Sequence, residues 1–180
     1  MIQVSRLLRR SSALLLTLSL PFCLVAPTPT FARSAARTQL AVVTHVVDGD
    51  TVWLRTAHSA KPLKVRIDGI DAPEACQAGG AASRDALHRR LRGQTVTLSA
   101  TASRRHDVYG RLLAKIDLQG EDVGRWMVAN GYAWSYGYRR NLGPYAVEQS
   151  QAVAARRGLF SDSGAENPRL FRKRHGSCHA

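Results

Sequence analysis

The sequence predicts a small β-barrel with added helices, a single domain of the α+β class. Five stretches are short and either β-branched or alternately apolar and polar, as strands are. One helical pattern separates the third stretch from the fourth, and two more follow the fifth. This order is typical of a closed five-stranded barrel of the OB-fold type, here with three helices.

The strand predictions follow from side-chain periodicity and turn signals. Asp48-Gly49-Asp50 is a hairpin signal between the first two stretches. In the third stretch basic residues alternate with apolar ones, so Arg66 is expected to point away from the apolar face. The five predicted strands are 39–47, 51–56, 63–67, 94–100 and 111–118.

The helix predictions rest on apolar residues at helical spacing with a glycine after each segment. Beyond them, residues 163–180 are basic and carry no comparable apolar pattern, so we expect a loose C-terminal tail. The three predicted helices lie within 79–93, 121–131 and 141–158.

The first 32 residues are predicted to be a secretory signal peptide. Three arginines precede an apolar run, and the small residues Thr30 and Ala32 stand where a signal peptidase cleaves. A membrane anchor is the alternative, but Pro21 and Pro27 shorten the apolar run below the roughly 20 residues that a membrane span needs. Cleavage after Ala32 would leave a polar, flexible arm at 33–39 and an exported protein, periplasmic or secreted.

The net charge predicts anionic partners. Among the 180 residues, 26 lysines and arginines face 13 aspartates and glutamates. Removing residues 1–32 takes away three arginines and no acidic residue, which leaves 23 basic residues, 13 acidic ones and a net charge of +10. Nucleic acid, acidic lipid surfaces and polyanionic sugars all fit this charge. Arginine dominates, and its planar fork suits phosphate.

Cysteine usage agrees with export. Cys23 would leave with the signal peptide, and Cys76 and Cys178 would remain. Because an even pair in an oxidising compartment can form a bridge, we predict a Cys76–Cys178 disulfide.

Three carboxylates form the first part of a candidate site. Asp50 and Asp71 would lie together if the first and third strands pair, and they offer the hard oxygen ligands that Ca²⁺ or Mg²⁺ prefers over Zn²⁺. Glu74 follows Asp71 by three residues and could reach a metal-bound water or take its proton. A cation site beside a water-activating carboxylate is therefore expected.

Two arginines complete the candidate site. Arg66 and Arg111 lie on the polar faces of different predicted strands, where they could hold one phosphate from two sides. A cation, a base and paired arginines suit phosphodiester hydrolysis. The alternatives are a catalytically silent OB-fold module that only binds nucleic acid, and a basic protein that binds acidic polysaccharide. The silent module has no use for Glu74 beside the two arginines, and the polysaccharide-binding protein has no use for the ordered pair of aspartates.

Three motifs in order, DGDTV at 48–52, VRIDGIDAPE at 65–74 and DVYGR at 107–111, resemble the staphylococcal nuclease-like (thermonuclease) family. The resemblance runs from about Leu40 to Phe160, within a nuclease-like OB-fold domain that we place at 40–162. It implies a Ca²⁺-dependent nuclease that cleaves DNA and RNA and leaves 3′-phosphates.

The resemblance also implies residue roles. Glu74 would act as a base or position the attacking water, and Asp48 would reach the metal through water. Because the position after the second aspartate contributes its backbone carbonyl, alanine there keeps the ligand. The implied metal ligands are Asp50, Asp71 and Ala72, and the implied catalytic residues are Arg66, Glu74 and Arg111.

Three tyrosines are predicted to contact the nucleic acid. Tyr109, Tyr136 and Tyr138 could stack on bases, and the last two resemble a family pair near the bound nucleotide. The protein is expected to act on DNA and RNA as a monomer, without stable membrane association once the signal peptide is removed.

Overall fold

The computed structural model of the protein describes residues 37–100, 106–137 and 141–178. The predicted signal peptide, most of the arm at 33–39 and Tyr138 lie outside the described residues.

The strands begin and end close to the predicted positions. The second and third strands have the predicted bounds, whereas three two-residue strands were not predicted. The strands are β1 (Arg37–Val46), β2 (Thr51–Thr56), β3 (Leu63–Ile67), β4 (Ile70–Asp71), β5 (Thr95–Ala100), β6 (Leu112–Leu118), β7 (Glu121–Asp122) and β8 (Trp134–Ser135).

Five strands close into a barrel. Strand β1 pairs antiparallel with β2 and β5, β2 pairs with β3, and β5 pairs with β6. A parallel pairing of β3 with β6 closes the sheet. The predicted fold class is confirmed, but the expected pairing of the first and third strands is wrong. The hairpin at 48–50 places β2 between them, so the neighbours of β3 are β2 and β6.

Alternate residues of the strands fill the barrel interior. Val52, Leu54, Val65 and Ile67 are at most 1% exposed, while Arg66 lies on the other face of β3. Burying each such side chain stabilises the fold by roughly 1.5–3 kcal/mol, so the barrel holds the polar groups at its rim in fixed positions.

Helices pack outside the barrel. Leu87 and Leu91 on the first helix and Met127 on the second are fully buried in the same core. No helix within 37–100, 106–137 and 141–178 is long and apolar enough to cross a membrane. The helices are α1 (Gly80–Leu91), α2 (Val123–Ala129), α3 (Ala146–Ala154) and α4 (Pro168–His175), with a short 3₁₀ helix at Gly158–Ser161.

Helix α4 corrects the expectation of a loose tail and raises the helix count from the predicted three to four. The Asn167 side chain caps the helix by accepting a hydrogen bond from the backbone N–H of Arg169, and Pro168 occupies the first turn. The helix ends at Gly176, whose φ of 76° favours glycine. Capping at both ends therefore defines a helix in a segment that has few apolar residues.

Candidate active site

The turn between β1 and β2 fixes Asp50. Its backbone N–H donates to Asp48 Oδ1 over 2.9 Å, and its carbonyl accepts from the Ile67 N–H at the end of β3. A Cβ at Gly49 would collide with the Ser83 hydroxyl on α1, so glycine allows this close approach. Asp50 is consequently held at the rim of the barrel with only 3% of its surface exposed.

A second turn places Asp71 next to Asp50. Gly69 adopts a φ of 83°, and the chain turns from β3 into β4. Strand β4 pairs with β8, and the Gly69 carbonyl accepts the Tyr136 N–H. Asp71 is 2% exposed. The two predicted metal-ligating carboxylates are thus brought together by the β2–β3 pairing and the turn that follows it.

Arg66 bridges these two aspartates. Its Nη1 donates to Asp50 Oδ2 over 2.5 Å, and its Nη2 donates to Asp71 Oδ1 over 2.9 Å and to the Ile70 carbonyl over 3.2 Å. Burial alone would lower the pKa of Arg66, but the two carboxylates raise it above its usual value. The guanidinium therefore stays charged between its partners.

The two aspartates of the β1–β2 turn have pKa values shifted in opposite directions. Burial disfavours charge on Asp50, yet Arg66 and the hydrogen bonds from Thr51 and the Ala72 N–H hold its pKa below the usual range. Burial raises the pKa of Asp48 to about 7, and the charge of Asp50 adds to this effect. Burial and the charge of Asp50 therefore favour the neutral form of Asp48, whereas Asp50 is held in its ionised form by its hydrogen-bond and ion-pair partners.

Arg111 is fixed by the turn before β6. Its Nε donates to Asp107 Oδ2 over 2.7 Å, and its backbone N–H donates to Asp107 Oδ1 over 2.9 Å. Gly110 supplies the φ of 74° that the turn requires. The Nη1 of Arg111 donates to Thr51 Oγ1 over 3.1 Å, and that hydroxyl donates to Asp50 over 2.8 Å. Thr51 thereby connects Arg111 to the aspartate pair.

Glu74 lies beside the aspartates and contacts an arginine from the tail. Arg172 on α4 donates through Nη1 to Glu74 Oε1 over 2.8 Å and through Nη2 to Asp71 Oδ2 over 2.8 Å. Nη1 also lies 3.2 Å from Asp71 Oδ1. Burial would lower the pKa of Arg172, but hydrogen bonds to the two carboxylates raise it. Asp50, Asp71 and Glu74 therefore form one network with the guanidiniums of Arg66 and Arg172, and Thr51 links Arg111 and Asp107 to this network.

The predicted catalytic arginines keep donors for a substrate. A guanidinium has five N–H groups. Arg66 uses three of them in the hydrogen bonds above and Arg111 uses two, and no described residue accepts from the others. Both side chains are less than one fifth exposed. These donors can bind phosphate oxygens in a partly dehydrated place, where such hydrogen bonds are strong.

The donor set also fits a hard cation. In the described residues, no group of three His, Cys, Asp or Glu side chains is arranged as a metal site. The candidate ligands are therefore the carboxylates of Asp50 and Asp71 and the backbone carbonyl of Ala72. All three offer oxygen, the ligand atom that Ca²⁺ requires. Asp50 Oδ1 accepts only from Thr51, and Asp71 Oδ2 only from Arg172, within the described part of the chain. Each carboxylate thus retains an oxygen with a lone pair for a cation.

Two of the predicted tyrosines lie on the surface around this network. Tyr109 is 75% exposed, and its ring centroid lies 5.4 Å from the Arg111 guanidinium carbon. Tyr136 is 41% exposed and directly follows β8. Tyr138 lies outside the described residues. The exposed rings leave π-faces free for bases, and their role in binding remains a prediction.

The structure joins Cys76 and Cys178 as a disulfide with Cα atoms 5.8 Å apart. This bond links the residue two positions after Glu74 to the segment after α4. The pairing agrees with the predicted disulfide, and a thiol titration of the oxidised protein tests it.

Sequence reasoning missed three residues of the network, Thr51, Asp107 and Arg172. Thr51 and Asp107 were inside the quoted motifs, and the four-residue spacing of Asp107 and Arg111 was a signal for their contact. Nothing in the sequence indicated that Arg172 reaches Glu74, since 98 residues separate them.

Comparison with known proteins gives the same family as the motifs. The family described as Staphylococcal nuclease homologue matches residues 64–162. An Uncharacterized endonuclease of Escherichia coli O157:H7 is 35% identical over 133 residues, which cover 73% of this chain and 84% of that protein. An Uncharacterized endonuclease of Haemophilus influenzae is 34% identical over 131 residues, covering 73% and 71%. The Probable staphylococcal-like nuclease CAN1 of Oryza sativa subsp. japonica is 31% identical over 121 residues, covering 66% and 36%.

An OB-fold barrel with aspartates, a glutamate and two arginines at one rim defines a nuclease class of this fold. The family match covers more than half of the chain, and the first two relatives are covered over most of their length. The chain belongs to the staphylococcal nuclease-like family.

Proposed function

We propose that the protein is an exported, calcium-dependent endonuclease that hydrolyses phosphodiester bonds of DNA and RNA and leaves 3′-phosphates. The observation that carries this proposal is the bridging of Asp50 and Asp71 by Arg66, with Glu74 at the same network. A module that only bound nucleic acid would need basic and aromatic surface, but no buried carboxylate pair.

Arg66 and Arg111 are proposed to bind the scissile phosphate. Their remaining N–H groups donate to its non-bridging oxygens, and their contacts with Asp50 and Asp107 hold both guanidiniums in place before the substrate arrives. Such pre-arranged donors are most effective where negative charge grows during the reaction, as it does on a phosphate under attack.

Glu74 is proposed to act on the attacking water. Oε1 is held by Arg172, and no described residue donates to Oε2, so this oxygen can accept the water's proton or orient the water. Calcium held by Asp50, Asp71 and the Ala72 carbonyl would supply neutralisation of the phosphate charge.

The surroundings support a polyanionic chain as the substrate. A net charge of +10 for residues 33–180 attracts nucleic acid over long range. Tyr109 and Tyr136 expose their rings and can stack on bases without choosing a sequence. Recognition through phosphate and base stacking does not depend on the sugar, which agrees with the proposed use of both DNA and RNA. The protein is proposed to act as a monomer.

Digestion of single-stranded DNA and RNA tests this proposal. With Ca²⁺, the purified protein should shorten both substrates, and excess chelator should stop the reaction. The new 5′ ends should carry hydroxyls, which a kinase lacking 3′-phosphatase activity phosphorylates directly, and the new 3′ ends should require a 3′-phosphatase before a polymerase extends them. A protein that binds DNA but does not cut it at any calcium concentration would instead be a silent binding module.

Export is tested separately by N-terminal sequencing of the protein recovered outside the cytoplasm. The proposal expects Arg33 as the first residue, or a neighbour within a few positions. An intact Met1 on that protein would contradict it.

A further inference from the structure

Arg172 is the one member of the network that comes from the tail rather than from the predicted nuclease-like domain. It reaches Glu74 with Nη1 and the far oxygen of Asp71 with Nη2, both over 2.8 Å. Its side chain is 28% exposed, while that of Asp71 is 3% exposed. The guanidinium therefore covers the carboxylates from the solvent side.

The tail is attached to the Glu74 loop on both sides of Arg172. Before α4, the buried Gln77 side chain donates through Nε2 to the Glu166 carbonyl over 2.7 Å. Its Oε1 accepts the Glu74 N–H over 3.1 Å. After α4, Cys178 is bonded to Cys76. The same four-residue segment, 74–77, thus carries the carboxylate and both attachments.

We infer that Arg172 is a positioning residue of the active site, and that the Cys76–Cys178 bond keeps it there. By holding Oε1 of Glu74 and both oxygens of Asp71, Arg172 fixes the orientation of the carboxylate that acts on water relative to the carboxylate that binds the cation. This inference rests on the proposed nuclease function, and it adds a residue from outside the motifs of the family.

The hydrogen-bond pattern favours positioning over obstruction of the site. Arg172 leaves Glu74 Oε2 without a described donor and is the sole described donor to Asp71 Oδ2, whose second lone pair is available. Without Arg172, Asp50 and Asp71 would keep their described ion pairs with Arg66, whereas Glu74 would have no described ion-pair partner. The mutual repulsion of the three carboxylates would then turn Glu74 towards solvent, away from the place where water must be held.

Two carboxylates at a fixed separation need a planar fork. An arginine can donate to both at once through different nitrogens, whereas a lysine ammonium is a single point charge on a flexible stem. Arg172→Lys should therefore restore part of the activity that Arg172→Ala loses. The neighbouring Arg174 is a matched control, because it lies on the same helix, pairs with Glu166 and is 62% exposed.

The decisive measurement is single-turnover cleavage of a DNA oligonucleotide with a calcium titration, for wild type, Arg172→Ala, Arg172→Lys and Arg174→Ala. Arg172→Ala should lower the maximal rate by ~10- to 100-fold, the range found when a partner that orients an active-site ligand is removed. DNA affinity should change less than about twofold, as expected for an interaction that acts on the chemical step. The maximal rate of Arg172→Lys should lie between those of wild type and Arg172→Ala, and the maximal rate of Arg174→Ala should match wild type.

Removal of the disulfide tests how Arg172 is kept in place. A thiol titration of the oxidised protein should find no free thiol at Cys76 or Cys178. Cys76→Ser with Cys178→Ser should lower the maximal rate in the same direction as Arg172→Ala. Combining these changes with Arg172→Ala should cause little further loss, because both act through one contact. Thermal unfolding of every variant shows whether the assay temperature keeps it folded.

The outcomes are distinct. If wild type does not cut, the proposed function fails and the inference fails with it. If wild type cuts and Arg172→Ala cuts equally well or faster, the nuclease stands and the positioning role is wrong, since a faster variant would mean that Arg172 obstructs the site. If Arg172→Ala only weakens DNA affinity, or the disulfide and Arg172 losses simply add, Arg172 is not a positioning residue held by that bond.

Discussion

The barrel half and the tail half of the candidate site are built in different ways. In the barrel half, Asp50 and Arg66 stand at the rim of paired strands, and Thr51 lies opposite Arg66 in the register. In the tail half, Glu74 lies in a loop and Arg172 on a short helix, joined by hydrogen bonds and one disulfide. Both halves rely on a guanidinium that binds carboxylates. In the barrel half the buried core supports this contact, and in the tail half attachments at the surface support it.

This difference implies that the two halves respond differently to mutation. Removing a barrel-half group leaves a buried partner charge uncompensated, so stability and activity should fall together. Removing a tail-half group leaves carboxylates that solvent can reach, so activity should fall while the fold remains. Measuring both quantities for each variant tests this contrast.

The largest effect is expected for Arg66→Ala. The barrier should rise enough to slow cleavage by about 10²- to 10³-fold, as when a pre-arranged donor to a developing charge is lost. The free energy of unfolding should fall by about 3–5 kcal/mol, because Asp50 stays buried without its partner. Single-turnover cleavage and denaturant unfolding at neutral pH measure the two effects.

Arg84→Ala is the matched control for Arg66→Ala. Arg84 also pairs with an aspartate, Asp85, but both side chains are about half exposed. Its loss should cost less than about 1 kcal/mol and leave cleavage unchanged. Equal effects of the two substitutions would mean that Arg66 belongs to the general basic surface.

The second effect is a loss of activity without loss of stability in Glu74→Gln. The amide keeps the size of the side chain but cannot take a proton, so cleavage should fall by at least ~10²-fold. The fold and DNA affinity should survive, because Glu74 is outside the barrel core. Cleavage and affinity of this variant, beside Glu121→Gln on the exposed surface, provide the measurement. Cleavage at the wild-type rate would remove Glu74 from its assigned role.

Sequence patterns could predict the barrel half because its parts are local. The hairpin signal at 48–50 gave β2 and alternation gave β3, both with their observed bounds, and the polar face of β3 indicated the direction of Arg66. The short strands β4 and β8 could not be predicted, since each has two residues and forms only through pairing with the other.

The tail half was only partly predictable. Asn167, Pro168 and Gly176 are capping signals that could have indicated α4, although Leu170 and Phe171 are its only large apolar residues. The contact of Arg172 with Glu74 depends on how the tail crosses the surface. Periodicity and capping describe only neighbours along the chain, so they carry no information on that path.

The third effect concerns calcium. Asp50→Ala removes a proposed ligand, so the calcium concentration for half-maximal cleavage should rise at least ~10-fold. A ~10-fold loss of metal affinity is the lower end of what is expected when a residue that only orients a ligand is removed, so loss of a ligand itself should cost at least as much. Asp48→Asn is the matched comparison, because Asp48 is proposed to reach the cation only through water, and a smaller rise is expected. Calcium titrations of cleavage measure both. An equal rise for both variants would contradict direct ligation by Asp50.

The smallest effect is expected at Asp107, which holds Arg111 in the turn before β6. Partial burial favours its neutral form, but the hydrogen bonds from Arg111 outweigh this and hold the pKa of Asp107 below its usual value. Because the folded pKa lies below the unfolded value of about 3.9, the contact stabilises fully above that pH and is lost as the pH falls through the folded pKa.

Asp107→Asn should therefore lower the free energy of unfolding by about 1 kcal/mol or less at neutral pH, as a partly exposed ion pair does. The difference from wild type should narrow as the pH falls from about 4 towards the lowered folded pKa, because Asp107 is protonated first in the unfolded wild type and only at lower pH in the folded protein. Denaturant unfolding from pH 7 down to pH 3 gives this difference directly, and the changes of all other carboxylates cancel in it. Asp85→Asn, in an exposed pair, should differ little from wild type at any pH. A difference for Asp107→Asn that stays constant or widens in acid would show that its charge does not stabilise the folded state, and that the turn holds Arg111 through the backbone alone.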